Sequence, residues 1–390
     1  MNKKIFLIFI IFLLTGCYDH KELNTLAILT ATEINKVNDE YIVSAQVVNP
    51  QSPDKTITVQ APFIIYEGKG KTLQEAYRSI TLQSSRYIYP NHLQIMIINE
   101  NIAKEDISEI LDFFLRNPAL RTEFNILIGK SEDILTITTP IDPISSASIL
   151  ESLKTSNKYY GVSNLVTLNE LVNMEINPNL EIVLPSIESV KENQDNKDDK
   201  SDTTKNTEST KLKTMYKLKG LAIFKENKLQ GYLSEDESIT YNLITNNIQN
   251  TLITYECEKN KYITLEATKN KSKITTKNKE ININLNIEGT INESACNIKL
   301  NNNKNIKKLE KEIEKYLKEK ITNDINNIKN KYNSDIFGFL DIIYKHDYNT
   351  YKKIKDNWYN KYYQEFKINV KSNIKITANG NVMEGNNEKN

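Results

Sequence analysis

Between residues 281 and 332 the hydrophobic pattern of the chain changes period. Ile281-Asn282-Ile283-Asn284-Leu285-Asn286-Ile287 alternates strictly, as a strand does when one face is buried and the other wet. From Ile306 the apolar residues recur at steps of three and four: Leu309, Ile313, Leu317, Ile321, Ile325, Ile328 and Tyr332. That is the period of an amphipathic helix, on the order of 40 Å long at about 1.5 Å per residue. Phe366, Ile368 and Val370, then Ile374 and Ile376, alternate again before Gly380. The same helical repeat would serve a coiled coil, but strands on both sides favour a helix lying across its own sheet. The pattern predicts an α+β fold, with mixed or antiparallel sheets and packed amphipathic helices.

The rest of the chain reads in the same terms. Strands are expected at Leu26–Ile34 and Tyr41–Val48, with a turn at Val37–Glu40, and at Thr56–Tyr66 with Pro62 weakening its centre. Thr72-Leu73-Gln74-Glu75 is a capping box, so a helix starts at Thr72 with Leu73, Ala76, Tyr77 and Ile80 on one face. Gly68 and Gly70 just before it read as a sharp turn rather than an anion-binding loop, since Lys71-Thr72 follows too soon for P-loop spacing. A strand at His92–Ile98, a helix at Asp106–Arg116 stopped by Asn117-Pro118, and a strand at Phe124–Ile128 follow. Thr167-Leu168-Asn169-Glu170 is a second capping box, and Ile182–Leu184 a short strand ahead of Pro185. Ser189 to Thr214 is dominated by Asp, Lys, Asn, Ser and Thr, too polar to offset its ordering entropy, and reads as a disordered linker. Leu218–Phe224 and Leu229–Leu233 form a hairpin turning at Glu226-Asn227, and Tyr262–Ala267, Lys273–Thr276 and Glu280–Glu288 continue the sheet. The expected parts are 17–188 (with 62–135 as a possible subdomain), the linker 189–214, a second domain 215–380 and a tail 381–390.

The chain begins with a basic Asn2-Lys3-Lys4, an apolar run from Ile5 to Leu14, then Thr15, Gly16 and Cys17. Those are the parts of a secretory signal, residues 1–16, and ten apolar residues are too few to span about 30 Å of bilayer. Leu14-Thr15-Gly16-Cys17 resembles the bacterial lipobox. The resemblance implies cleavage after Gly16, S-diacylglycerol and an N-acyl group on Cys17. The whole chain is nearly neutral, with 51 basic against 50 acidic residues, and the part behind the signal loses only Lys3 and Lys4; that balance gives no reason to expect nucleic acid. Cys257 and Cys296 have no CxxC spacing; whether they pair is open.

Catalytic and metal chemistry are not expected. His20, His92 and His346 share no ligand spacing, and no phosphate loop or GxSxG elbow is present. His346-Asp347 and a loop carrying Glu235-Asp236-Glu237 read as solvated surface. The chain is therefore expected to be no enzyme, with no cofactor and no metal. The richest aromatic run, Tyr344, Tyr348, Tyr351, Trp358, Tyr359, Tyr362 and Tyr363, suits either an interaction face or the domain's own core.

Several segments, taken in order, resemble the Ger(x)C family of spore germination lipoproteins. Cys17-Tyr18-Asp19 is similar to its Cys-Trp-Asp start, with Tyr in place of Trp. Gly68-Lys69-Gly70-Lys71-Thr72 with Glu75-Ala76 is similar to its GxGxT-xxEA segment. Arg116-Asn117-Pro118-Ala119-Leu120-Arg121, Gly220-Leu221-Ala222-Ile223-Phe224 with Gly231-Tyr232-Leu233-Ser234, and Asp335-Ile336-Phe337-Gly338-Phe339 with Trp358 follow in family order. The resemblance implies a C subunit of a nutrient germinant receptor on the outer surface of the spore inner membrane. It implies membrane-embedded A and B subunits as partners, membrane lipid through Cys17, and no direct capture of the germinant. A lipid-anchored solute-binding protein that captures a small nutrient itself is the alternative; it needs a cleft with converging polar groups.

Overall fold

The computed structural model describes residues 22, 25–48, 61–117, 120–191, 206, 210–212, 214–277 and 279–378. Cys17, the lipobox, His20, residues 56–60 of the expected third strand, most of 189–214 and the tail lie outside them. The fold is α+β, as expected, with two sheets and a long helix near the C-terminus.

The first sheet has nine strands: β1 Leu26–Val37, β2 Glu40–Val48, β3 Phe63–Gly70, β4 Tyr87–Tyr89, β5 Ile95–Asn99, β6 Asn125–Gly129, β7 Val183–Lys191, β8 Thr214–Lys225 and β9 Lys228–Tyr232. Its order is β3-β2-β1-β5-β6-β7-β8-β9, with β4 beside the start of β1. The β1-β5-β6-β7 centre is parallel and the flanks antiparallel. Central strands buried on both faces read as unbroken apolar runs. Accordingly Met96 and Ile98 of β5 enter one core, while Ile95 and Ile97 enter another on the opposite face.

The second sheet, β10 Thr251–Glu258, β11 Lys261–Lys277, β12 Glu280–Ser294 and β13 Lys367–Ala378, runs in sequence order. Ile281, Ile283, Leu285 and Ile287 are all buried, as their alternation requires. Against them packs the helix Asn303–Tyr332, whose Leu309, Ile313, Leu317, Ile321, Ile325 and Ile328 share that core. The crossover through this helix returns β13 parallel to β12.

Several boundaries differ from expectation. β7 runs on through Pro185 to Lys191, with a register shift between Pro185 and Ile187 that accommodates the missing N–H. Lys191 then pairs with Thr214, so the polar stretch joins neighbouring antiparallel strands, and β8–β9 belong to the first sheet. The third strand begins at Phe63, after Pro62, and His92 sits in a 3₁₀ turn ahead of β5. The two expected strands at 262–276 are one, β11, bent by a bulge near Thr268. Glu235-Asp236-Glu237 is not a loop. It is the first turn of a helix, Glu235–Thr245, closed by a capping box between Ser234 and Glu237, and its carboxylates favour the positive helix end. Helix Ser145–Tyr159 and β10 are additional to the expected elements, although β10 alternates through Ile253, Tyr255 and Cys257 in sequence and in burial. Cys257 and Cys296 form a disulfide that ties β10 to the segment after β12.

The hairpin turn at Glu226-Asn227 is as expected, both residues adopting the left-handed conformation of a type I′ turn. In the second sheet, β13 is an edge strand with two of its N–H groups capped by helix carboxylates. Ile374 N–H donates to Glu314 at 3.0 Å and Ile376 N–H to Glu310 at 2.9 Å. Unpaired edges template self-association. The double variant Glu310→Ala/Glu314→Ala is expected to lose about 1–2 kcal/mol. It is also expected to aggregate on mild heating, where light scattering should rise well before the parent's; an unchanged scattering onset would sink the capping argument.

Candidate functional site

Two of the family-like segments meet on one face of the first sheet. Helix Leu73–Ser79 starts after Thr72, whose hydroxyl accepts the Glu75 N–H at 3.1 Å. The Glu75 carboxylate accepts from Lys71 N–H at 2.9 Å rather than closing the box on Thr72 itself. Gly68 and Gly70 do not form the expected turn; they are the last residues of β3. A Cβ on Gly68 would stand 2.0 Å from the Ala76 carbonyl oxygen, and one on Gly70 2.6 Å from the Ala76 nitrogen. The glycines let the helix lie directly on the strand.

That close seat brings Gln74, Tyr77 and Arg78 opposite Phe113, Phe114, Asn117 and Leu120, which belong to or follow the helix Ser108–Leu115. Between them is a cleft of about 430 Å³, continuous through Gln74, Tyr87, Phe113 and Asn117 with a shallower one holding Lys71 and Arg116. Its floor is an aromatic cluster: Tyr77 stacks on Phe113 at 5.5 Å, Phe114 meets both edge-on, and the Tyr77 hydroxyl bonds that of Thr32 at 2.7 Å. Burial pushes the Tyr77 phenol well above its ordinary pKa, so it stays neutral.

The aromatic run divides. Trp358 and Tyr363 are core residues, while Tyr344 and Tyr348 are about half exposed and cluster with Tyr351 at 5.0–5.8 Å. Tyr351 and Tyr359 tie the second half of the chain to the first, through Asn179 at 3.1 Å and Glu181 at 2.5 Å. Beneath them lies Asp335, fully buried. Its carboxyl accepts N–H bonds from Phe339 and Leu340 and from the Trp358 indole at 3.2 Å. Burial raises its pKa to about 7 despite those donors. A second buried acid, Glu33 on β1, is raised to about 8, by burial first and by Asp133 next.

His92 and His346 are exposed, and His92 has the Tyr89 ring 6.3 Å away. Among the described residues no three His, Cys, Asp or Glu side chains are grouped to hold a metal ion. No described helix is long and apolar enough to cross a membrane.

The assembly so described is a two-sheet α+β body with an aromatic cleft and a tyrosine-bound seam. The family described as "Spore germination protein N-terminal domain" matches residues 19–189, and "Spore germination B3/GerAC like, C-terminal" matches residues 219–380. The chain belongs to this Ger(x)C family. It is 28% identical over 386 residues to spore germination protein KC of Bacillus subtilis (strain 168), covering 95% of this chain and 93% of that one. It is 24% identical over 324 residues to spore germination protein GerQC of Bacillus cereus, covering 81% and 82%. The crystal structure of the GerBC protein shares the fold, with a TM-score of 0.53 at 19% identity, covering 89% of this chain and 96% of that one.

Proposed function

We propose that this protein is the lipid-anchored C subunit of a spore nutrient germinant receptor, non-enzymatic, working by assembly with membrane-embedded A and B subunits on the outer surface of the spore inner membrane. The observation that carries the reading is the lipobox-like Leu14-Thr15-Gly16-Cys17 placed directly before two successive germination-family domains. A diacylglycerol supplies two chains, enough for stable anchoring where one chain is marginal. The anchor confines the body to the membrane and raises its effective concentration beside membrane partners. Germination then depends on the surfaces that body presents, not on turnover, and the germinant is not captured by this chain.

The test is Cys17→Ala with metabolic labelling by a fatty acid. The variant is expected to lose the label, keep residues 1–16 and fail to support nutrient germination. Label persisting on the variant would overturn the anchor.

A further inference from the structure

Of the 51 basic residues in this chain only four are arginine, and all four, Arg78, Arg86, Arg116 and Arg121, fall between residues 78 and 121. Two of them line the aromatic cleft or its extension, and the other two adjoin lining residues in the chain. Arg78 lines the cleft and Arg116 lines its shallower extension. Arg86 precedes Tyr87, and Arg121 follows Leu120, both of which line it. Arg116 is paired with Asp112 at 2.7 Å. The guanidinium groups of Arg78, Arg86 and Arg121 have no carboxylate partner among the described residues. Of the acids beside the cleft only Asp112 is ion-paired among the described residues, with Arg116; Glu75 and Glu109 accept from the Lys71 N–H and the Tyr41 hydroxyl and keep their charge. Apolar side chains at or next to lining residues are exposed: Tyr87 lines the cleft, Leu82 follows Thr81 and Leu115 follows Phe114. Leu82 is 88% exposed, Tyr87 52% and Leu115 51%.

The chain's beginning arrives at this face. Leu26, the first residue of β1, pairs with Tyr87 of β4, and Leu29 lines the cleft. Cys17 and Leu26 are nine positions apart. Fully extended, that stretch reaches about 30 Å.

We propose that this arginine-rimmed face docks on the membrane, its guanidinium groups taking the phosphates of anionic phospholipid headgroups while Leu82, Leu115 and Tyr87 enter the interface. Guanidinium is planar, weakly hydrated and matched to phosphate, which a lysine ammonium is not. Apolar and tyrosine side chains partition to the headgroup boundary. The proposal rests on the anchor reading for its setting: a tether ending beside the face holds that face, rather than the distant second sheet, near the lipid.

The test removes the anchor so that the two readings separate. Every described strand and helix begins at Leu26 or later, so the chain from Tyr18 contains all of the described elements. Without acyl groups it should co-sediment with vesicles of phosphatidylglycerol and phosphatidylcholine in equal parts, and far less with phosphatidylcholine alone. Arg78→Gln/Arg86→Gln/Arg121→Gln alters exposed, unpaired groups and should fold normally by circular dichroism. It is expected to bind on the order of 100-fold more weakly, at roughly five-fold per basic residue held at an anionic surface. Leu82→Ser should weaken binding further. Absence of vesicle binding, equal binding to neutral vesicles, or unchanged binding by the triple variant overturns the proposal. So does a triple variant that binds vesicles normally but no longer co-purifies with the membrane subunits, which would make the face a protein interface. Loss of label from wild-type Cys17 would sink the anchor and leave the vesicle result standing.

Discussion

Asp335→Ala is expected to lower unfolding stability by about 4 kcal/mol, because a fully buried set of N–H donors loses its acceptor. The Phe339 N–H reaches one carboxyl oxygen; the Leu340 N–H and the Trp358 indole share the other. Asp335→Asn does not restore the arrangement. One of its two positions becomes an NH₂ group facing an N–H donor, so a loss of about 2 kcal/mol is expected. Urea unfolding followed by Trp358 fluorescence measures both, since Trp358 is the chain's one tryptophan. A loss below about 1 kcal/mol for the alanine variant would mean that the donors find other partners. The pH dependence follows from the raised pKa. With a folded value of about 7 and an ordinary value of 3.8, the native state holds the extra proton between them. Stability therefore falls as pH rises from about 4 to about 7, and this contribution is complete below that window. Glu33, raised to about 8, adds a change of the same sign. Asp335→Asn should flatten the part belonging to Asp335.

What could be read in advance depended on whether a residue's role is local. The change of period between Ile287 and Ile306 foretold the second sheet and its helix because each side chain's face is fixed by its own backbone. The capping box at Thr167 and the turn at Glu226-Asn227 are local in the same sense. Gly68 was misread because its constraint comes from Ala76 across space, which no local pattern records. Pro185 misled for a related reason: a proline lacks a donor, and only the bulge in β7 made that harmless. The helix at Glu235–Thr245 was legible, since Ser234 and Glu237 have capping-box spacing, but the run of acids drew attention to surface charge. Cys257 and Cys296 are 39 residues apart, and only the fold shows that β10 and the end of β12 come together. The cleft is the mixed case. Its aromatic floor required the fold, whereas the gathering of every arginine within one stretch was visible in the sequence.

Gly68→Ala carries the second large effect, and it links fold to face. The added methyl would lie 2.0 Å from the Ala76 carbonyl oxygen and 2.7 Å from both Ile80 Cγ1 and Ser79 Oγ. Side-chain atoms can rotate away, but the carbonyl belongs to helix Leu73–Ser79, so the helix must lift from β3. Overpacking of this kind costs about 3 kcal/mol, near the top of the usual range because backbone rather than side chain is struck. Lys69→Ala, on the strand's exposed face, is the control and should stay within about 0.5 kcal/mol of the parent. Lifting the helix also moves Gln74, Tyr77 and Arg78, which form one wall of the cleft. Tyr77 would lose its stack on Phe113 and its bond to Thr32. The variant should therefore bind anionic vesicles more weakly even at temperatures where circular dichroism shows it folded. Stability within about 1 kcal/mol of the parent together with unchanged vesicle binding would show that the helix is not seated by Gly68.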